Sequence, residues 1–107
     1  MIDDPADAFL PGPRATEAGV PGGPLSGLSF AAKDLFDVAG HVTGGGNPAW
    51  AADRAPAETH AWAVARLLSA GADLAGKTIT DEVSLGILGE NAFFGTPHNS
   101  AAPGHVP

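Results

Sequence analysis

Glycine and proline set the strongest limit on what this chain can fold into. The 107 residues include 15 glycines and 10 prolines; proline breaks helices, and glycine favours turns. Five prolines and four glycines fall within the first 24 residues, where no helix longer than two turns fits. We therefore predict an extended arm over residues 1–23 and regular structure only in short segments of residues 24–107.

The composition predicts a small core. A chain of this length makes at most one domain, and domains this small bury only roughly 60–70% of their unfolded surface. Hydrophobic residues make up 44% of the sequence, but aromatic residues make up only 7%. We therefore expect a chain that depends on further structure for stability.

Charge and cysteine content bear on partners and compartment. The chain has five lysines and arginines and 12 aspartates and glutamates, so its formal charge is -7. A negative charge of this size repels phosphate backbones and anionic lipid surfaces. We expect no nucleic-acid partner and no membrane partner. The absence of cysteine, of an apolar run of membrane-spanning length and of a secretory leader predicts a cytoplasmic protein.

The pattern of apolar residues predicts a parallel β-α-β unit. Alternating apolar side chains indicate a strand over residues 28–33 and a second strand over residues 72–77. Between them, helical spacing predicts a helix from about residue 57 to residue 70, with Pro56 in its first turn and Gly71 after its end. Thr80 is predicted to cap a short following helix.

Several kinds of site find little support in the sequence. The four histidines lack metal-ligand spacing, so we expect neither a metal nor a cofactor. The glycine run at 44–46 does not fit a phosphate-binding loop. The acidic pairs, Asp34 with Asp37 and Asp81 with Glu82, are expected to be solvated or to cap helices.

Serine hydrolysis needs a serine beside a base, and a lysine serves if burial or nearby charges lower its pKa. Ser29 lies four residues before Lys33, about 13 Å away along a strand, so these two cannot pair. The sequence places no base next to the remaining serines (Ser26, Ser69, Ser84 and Ser100). From composition alone, Lys33 and Lys77 are favoured as strand-end lysines with solvated amines, and Trp50 and Trp62 as packing anchors.

Several blocks in order give the chain a resemblance to a known family. Residues 23–40, GPLSGLSFAAKDLFDVAG, resemble the segment around the catalytic lysine of the amidase signature family. Residues 70–82, AGADLAGKTITDE, resemble its next block, and GEN at 89–91, FGTP at 94–97 and Asn99 continue in the same order. The loop 43–50, TGGGNPAW, most resembles amidases of the indoleacetamide hydrolase type.

The resemblance implies an α/β fold, a mixed β-sheet covered by helices, of which residues 24–107 form an incomplete N-terminal portion. It implies a hydrolase that converts a small-molecule carboxamide into a carboxylate and ammonia through a Ser–cis-Ser–Lys triad. Lys33 matches the lysine of that triad, which has to be desolvated enough to be uncharged. Both serines are expected after residue 107, so we predict that the 107 residues alone are inactive.

Two other functions stay open. The A subunit of a tRNA-dependent amidotransferase shares these blocks and takes ammonia from glutamine. A non-catalytic remnant or binding module is the third possibility. Homo-oligomerisation of the full-length enzyme stays open as well.

Overall fold

Two strands, two α-helices and one short 3-10 turn make up the regular structure of the described residues. The computed structural model describes residues 3–107, so the first two residues of the predicted arm lie outside the described residues. In chain order the elements are β1 (Ser29–Lys33), α1 (Pro48–Ala52), α2 (Trp62–Ser69), β2 (Asp73–Thr78) and the 3-10 turn (Glu82–Ser84).

Strands β1 and β2 lie side by side and run parallel. Ala32 pairs with Lys77 and Lys33 pairs with Thr78, after a shift in register that follows Phe30. Because successive side chains alternate between the faces of a sheet, Lys33 and Lys77 leave the two strands on opposite faces. The two predicted strands and the parallel arrangement are confirmed.

The N-terminal segment runs along the free edge of β2. Phe9 forms an antiparallel bridge with Thr78, and Glu17 forms another with Leu74. These contacts satisfy backbone groups that an edge strand would otherwise leave open. The close approach requires glycine in β2, because a Cβ atom at Gly76 would lie 2.8 Å from the Phe9 ring.

Helix α2 begins later than the sequence predicts. The predicted start near residue 57 is wrong because the backbone before Trp62 is engaged elsewhere. Ala57 exchanges two backbone hydrogen bonds with the turn at residues 40–41, and the Ala61 N–H donates to the Asp37 carbonyl. The predicted end is confirmed, because Gly71 follows the last turn with φ +103° and its N–H donates to the Leu68 carbonyl.

Helix α1 begins within the predicted loop at 43–50. Asn47 caps it, since the side-chain oxygen accepts hydrogen bonds from the N–H groups of Ala49 and Trp50. Pro48 occupies the first helical position, where a missing N–H costs nothing. An asparagine followed by proline was therefore the signal for this helix.

Small apolar side chains form the core between α2, the two strands and the arm. Two side chains of α2, Val64 and Leu68, are buried in it. Other apolar side chains stay in solvent, among them Trp62, which is 78% exposed, and Ile87, which is 95% exposed. The prediction that Trp62 anchors packing is wrong. The buried core consists of Ala15, Ala32, Val38, Val64, Leu68 and Leu74.

Candidate active site at the end of the parallel strands

Lys33 is the last residue of β1 and is half-buried. Its amine (Nζ) lies 3.1 Å from the hydroxyl oxygen (Oγ) of Ser84 and donates a hydrogen bond to it. The two residues are 51 positions apart in the chain. The structure therefore brings a lysine amine and a serine hydroxyl together at the C-terminal end of the strand pair.

The sequence-based statement that Ser84 has no base beside it is wrong. The chain after β2 turns back towards the glycine loop, and the Val83 N–H donates to the Gly45 carbonyl at 2.6 Å. Ser84 thereby reaches the end of β1. The predicted helix capped by Thr80 is instead a single 3-10 turn with Asp81 before it and no side-chain cap.

A buried ion pair occupies the opposite face of the strands. The Lys77 amine lies 2.8 Å from a carboxylate oxygen of Asp34, and the two side chains are 4% and 3% exposed. The Gly44 N–H also donates to the Asp34 carboxylate at 3.2 Å. The expectations of a solvated Lys77 amine and a solvated Asp34 are therefore wrong, because the strand register directs Lys77 inward onto Asp34.

The glycine loop at 44–46 packs so closely against its neighbours that side chains would not fit at Gly44 and Gly46. A Cβ atom at Gly44 would lie 2.8 Å from the Asp34 carboxylate. A Cβ atom at Gly46 would lie 2.8 Å from the Thr80 carbonyl, and the backbone there has φ +79°. The loop can therefore lie against both Asp34 and the chain that leads to Ser84 only if both positions are glycine.

Asn91 ties the glycine loop to the chain after β2. Its side chain is buried, and its amide nitrogen donates to the carbonyls of Gly46 and Thr80 at 2.8 and 2.9 Å. Its side-chain oxygen accepts from the N–H groups of Phe93 and Phe94. One side chain thus holds together three segments around the Lys33 site.

Asn91→Ala is expected to lower the free energy of unfolding by roughly 2–3 kcal/mol, because buried backbone groups lose their partners. Urea unfolding followed by circular dichroism measures it. The matched control is Asn99→Ala, since Asn99 makes similar but exposed bonds to the Ala101 N–H and the Val106 carbonyl, and its loss is expected to cost less than about 1 kcal/mol. Equal losses in the two variants would contradict this account of Asn91.

A cavity of about 690 Å³ opens beside the turn that carries Ser84. Asn47, Trp50, Arg54 and Val83 are among the residues that line it. The Arg54 guanidinium lies over the Trp50 ring, 3.8 Å from its centre, and Trp50 is 46% exposed. Trp50 is therefore packed against Arg54 and also forms part of the cavity wall.

Within residues 3–107, no three histidine or acidic side chains are grouped in a way that would hold a metal ion. His60 is used structurally, since its Nδ1 accepts from the Ala39 N–H at 3.0 Å and its Nε2 lies 2.9 Å from a Glu17 carboxylate oxygen. The described residues therefore offer a lysine, a hydroxyl and backbone groups for chemistry at this site.

The sequence matches the family model described as Amidase over residues 11–107. This match covers most of the chain, and it includes β1, Lys33, the glycine loop and Asn91. The chain belongs to the amidase family.

Three relatives show the range of proteins that resemble this chain. Amidase 1 of rice (Oryza sativa subsp. japonica) is 55% identical over 78% of this chain and 19% of its own length. A pea (Pisum sativum) protein named translocon at the outer membrane of chloroplasts 64 is 50% identical over 78% of this chain and 14% of its own length. The A subunit of glutamyl-tRNA(Gln) amidotransferase from Thiobacillus denitrificans is 38% identical over 95% of this chain and 19% of its own length.

A solved structure confirms the predicted fold class. It is described as a vestigial protein complex that reveals the evolutionary origins of an s-triazine catabolic enzyme, and it matches with a TM-score of 0.73 at 37% identity. The match covers 78% of this chain and 18% of that one. The described residues thus form an α/β unit that corresponds to the N-terminal part of the amidase-signature fold, and the chain spans about a fifth or less of the relatives it matches.

The prediction of a cytoplasmic protein is contradicted by the relatives. The pea protein is named for the chloroplast outer membrane, and two Arabidopsis thaliana relatives at 41% and 48% identity are named as chloroplastic and mitochondrial outer envelope proteins. Cysteine content and the pattern of apolar residues do not determine where a family member resides. No helix among the described residues has the length and apolar character to cross a bilayer.

Proposed function

We propose that the complete protein containing this chain is an amidase that hydrolyses a carboxamide to a carboxylate and ammonia, with Lys33 as its base. The observation that carries the proposal is the position of the Lys33 amine, half-buried at the end of β1 and 3.1 Å from a hydroxyl, in a chain of the amidase family. A primary amine held beside a hydroxyl is suited to moving a proton.

In the proposed mechanism Lys33 takes up a proton and later gives it back. A serine supplied by the rest of the protein attacks the amide carbon, and its proton passes through a bridging serine to the Lys33 amine. When the carbon–nitrogen bond breaks, that proton goes to the leaving nitrogen, which departs as ammonia. Water then cleaves the acyl-serine ester and yields the carboxylate. Backbone N–H donors stabilise the oxyanion formed at each attack.

The cavity that Trp50 and Val83 help to line has room for an amide with an aromatic group. Its volume of about 690 Å³ lies in the range of small-ligand sites. Trp50 offers a flat apolar surface, and a neighbouring cavity of about 380 Å³ shares Trp50 and Val83 with the first and adds Leu35. We therefore propose an arylacetamide as the substrate class, in line with the predicted indoleacetamide hydrolase type.

A second candidate is the A subunit of an amidotransferase that takes ammonia from glutamine. It is supported by the 38% identity to the Thiobacillus protein, which extends over 95% of this chain. A third is a non-catalytic protein of an organelle envelope, supported by the 50% identity to the pea translocon protein. The three candidates differ in the compound from which ammonia is released: a carboxamide substrate for the first, glutamine for the second, and none for the third.

The test measures ammonia release by the complete protein from indole-3-acetamide, phenylacetamide, propanamide and glutamine, each with and without glutamyl-tRNA. The proposal predicts release from an arylacetamide that does not depend on tRNA. Release from glutamine alone among the four, with stimulation by the charged tRNA, would establish the amidotransferase instead. No release from any of them by a folded protein would favour the non-catalytic alternative.

A further inference from the structure

The backbone that presents Ser84 has an unusual conformation. Val83 has φ +50° and Ser84 has φ +58°, so two consecutive residues other than glycine adopt the left-handed region. A β-branched residue such as valine is a marked exception there. Such conformations cost free energy and occur most often where the surrounding structure holds them at a functional site.

Contacts on both sides hold this turn. The Val83 N–H donates to the Gly45 carbonyl at 2.6 Å, and the Ser84 N–H donates to the Asp81 carbonyl at 2.8 Å. The Asn47 amide nitrogen donates to a Glu82 carboxylate oxygen at 2.6 Å. None of these bonds uses the hydroxyl of Ser84, so the turn would keep them all with glycine at position 84.

The hydroxyl of Ser84 is directed instead at Lys33. Glycine is the residue that a φ of +58° favours, and serine carries a Cβ atom at a cost there. What serine adds at this position is an oxygen 3.1 Å from the Lys33 amine. A lysine amine sits on a flexible four-carbon stem, and as an uncharged base it has two hydrogens and one lone pair. A single fixed acceptor removes much of its freedom and leaves one hydrogen and the lone pair for other partners.

We propose that Ser84 is a positioning residue for Lys33. The left-handed turn presents the Ser84 hydroxyl, which accepts a hydrogen bond from the Lys33 amine and fixes that amine at the end of β1. This inference rests on the proposed role of Lys33 as a base, and it adds a residue that the predicted triad does not contain. The attacking and bridging serines of the rest of the protein would meet an amine that is already oriented.

Two substitutions separate the effect of the Ser84 hydroxyl from the effect of the backbone conformation at that residue. Ser84→Ala removes the hydroxyl and keeps the Cβ atom, whereas Ser84→Gly removes both and relieves the strained conformation. Ser84→Gly is expected to raise the melting temperature, because glycine adopts φ +58° freely. In the complete protein both variants are expected to lower kcat about tenfold with little change in KM, since the ammonium that forms when Lys33 takes up the proton loses a hydrogen bond.

A measurement on the complete protein tests the contact itself. Nitrogen-15 labelling of lysine gives amine signals in an NMR spectrum, and the signals of Lys33 and Lys77 are those lost in Lys33→Arg and Lys77→Arg. Hydrogen exchange with water at the Lys33 amine is expected to speed up about tenfold in Ser84→Gly. Exchange at Lys77 is expected to stay unchanged.

Ser69→Ala is the matched control, because the Ser69 hydroxyl is exposed and donates to the Ala65 carbonyl within α2. It is expected to change neither kcat nor Lys33 exchange. Unchanged Lys33 exchange in Ser84→Gly, or a kcat that follows the melting temperature upward, would overturn the positioning role alone. Full activity in Lys33→Ala would overturn the proposed base, and the role of Ser84 would fall with it.

Discussion

Lys77→Met is expected to lower the free energy of unfolding by about 3–5 kcal/mol, a large part of the total stability of a small domain. The Lys77 and Asp34 side chains are 4% and 3% exposed. Removing the ammonium group leaves a carboxylate buried without its counter-charge, and the Gly44 N–H is too weak a partner to offset that loss. Urea unfolding of the complete protein, followed by circular dichroism, measures the change.

A double variant and an exposed pair serve as controls. Asp34→Asn combined with Lys77→Met removes both charges and is expected to be more stable than Lys77→Met alone. The Asp7 carboxylate lies 3.5 Å from a ring nitrogen (Nε2) of His98, and the two side chains are 80% and 70% exposed, so Asp7→Asn is expected to change stability by less than about 1 kcal/mol. A loss below about 1 kcal/mol in Lys77→Met would contradict the assigned role of the buried pair.

Lys33→Ala is expected to reduce kcat of the complete protein by roughly a thousandfold or more, because members of a catalytic triad act as a unit. The free energy of unfolding is expected to change by less than about 1 kcal/mol, since Lys33 is half-buried at the end of β1 and lies outside the core. Ammonia release measures kcat, and thermal unfolding of the same samples measures the fold.

Lys33→Arg gives the sharper comparison. Arginine keeps a positive charge and a long stem, but its guanidinium does not give up a proton at ordinary pH. A base role predicts that Lys33→Arg is as inactive as Lys33→Ala. Restoration of activity by arginine would show that the site requires a cation instead, and activity within about tenfold of the wild type in Lys33→Ala would exclude Lys33 as the base.

The sequence predicted those parts of the fold that depend on local pattern. Alternating apolar residues located both strands, and Gly71 located the end of α2. The start of α2 was wrong because residues near Ala57 bond to a turn that is distant in the sequence. Local pattern carries no information about such a competing backbone partner.

The sequence predicts the part of the site that a family motif contains. It does not predict contacts between segments that lie far apart in the chain. Family blocks singled out Lys33. The hydrogen bond to Ser84 crosses 51 residues and depends on a left-handed turn of valine and serine, for which the sequence holds no signal. The pairing of Lys77 with Asp34 likewise depends on strand register, which decides the face on which each side chain lies.

A chimera tests most directly whether these residues supply the lysine of an amidase. Residues 24–107 of this chain replace the matching segment of rice Amidase 1, and ammonia release is measured from an amide that the rice protein itself hydrolyses. The account predicts that the chimera releases ammonia and that its Lys33→Ala variant does not. A folded chimera without activity, or one whose activity survives Lys33→Ala, would contradict it.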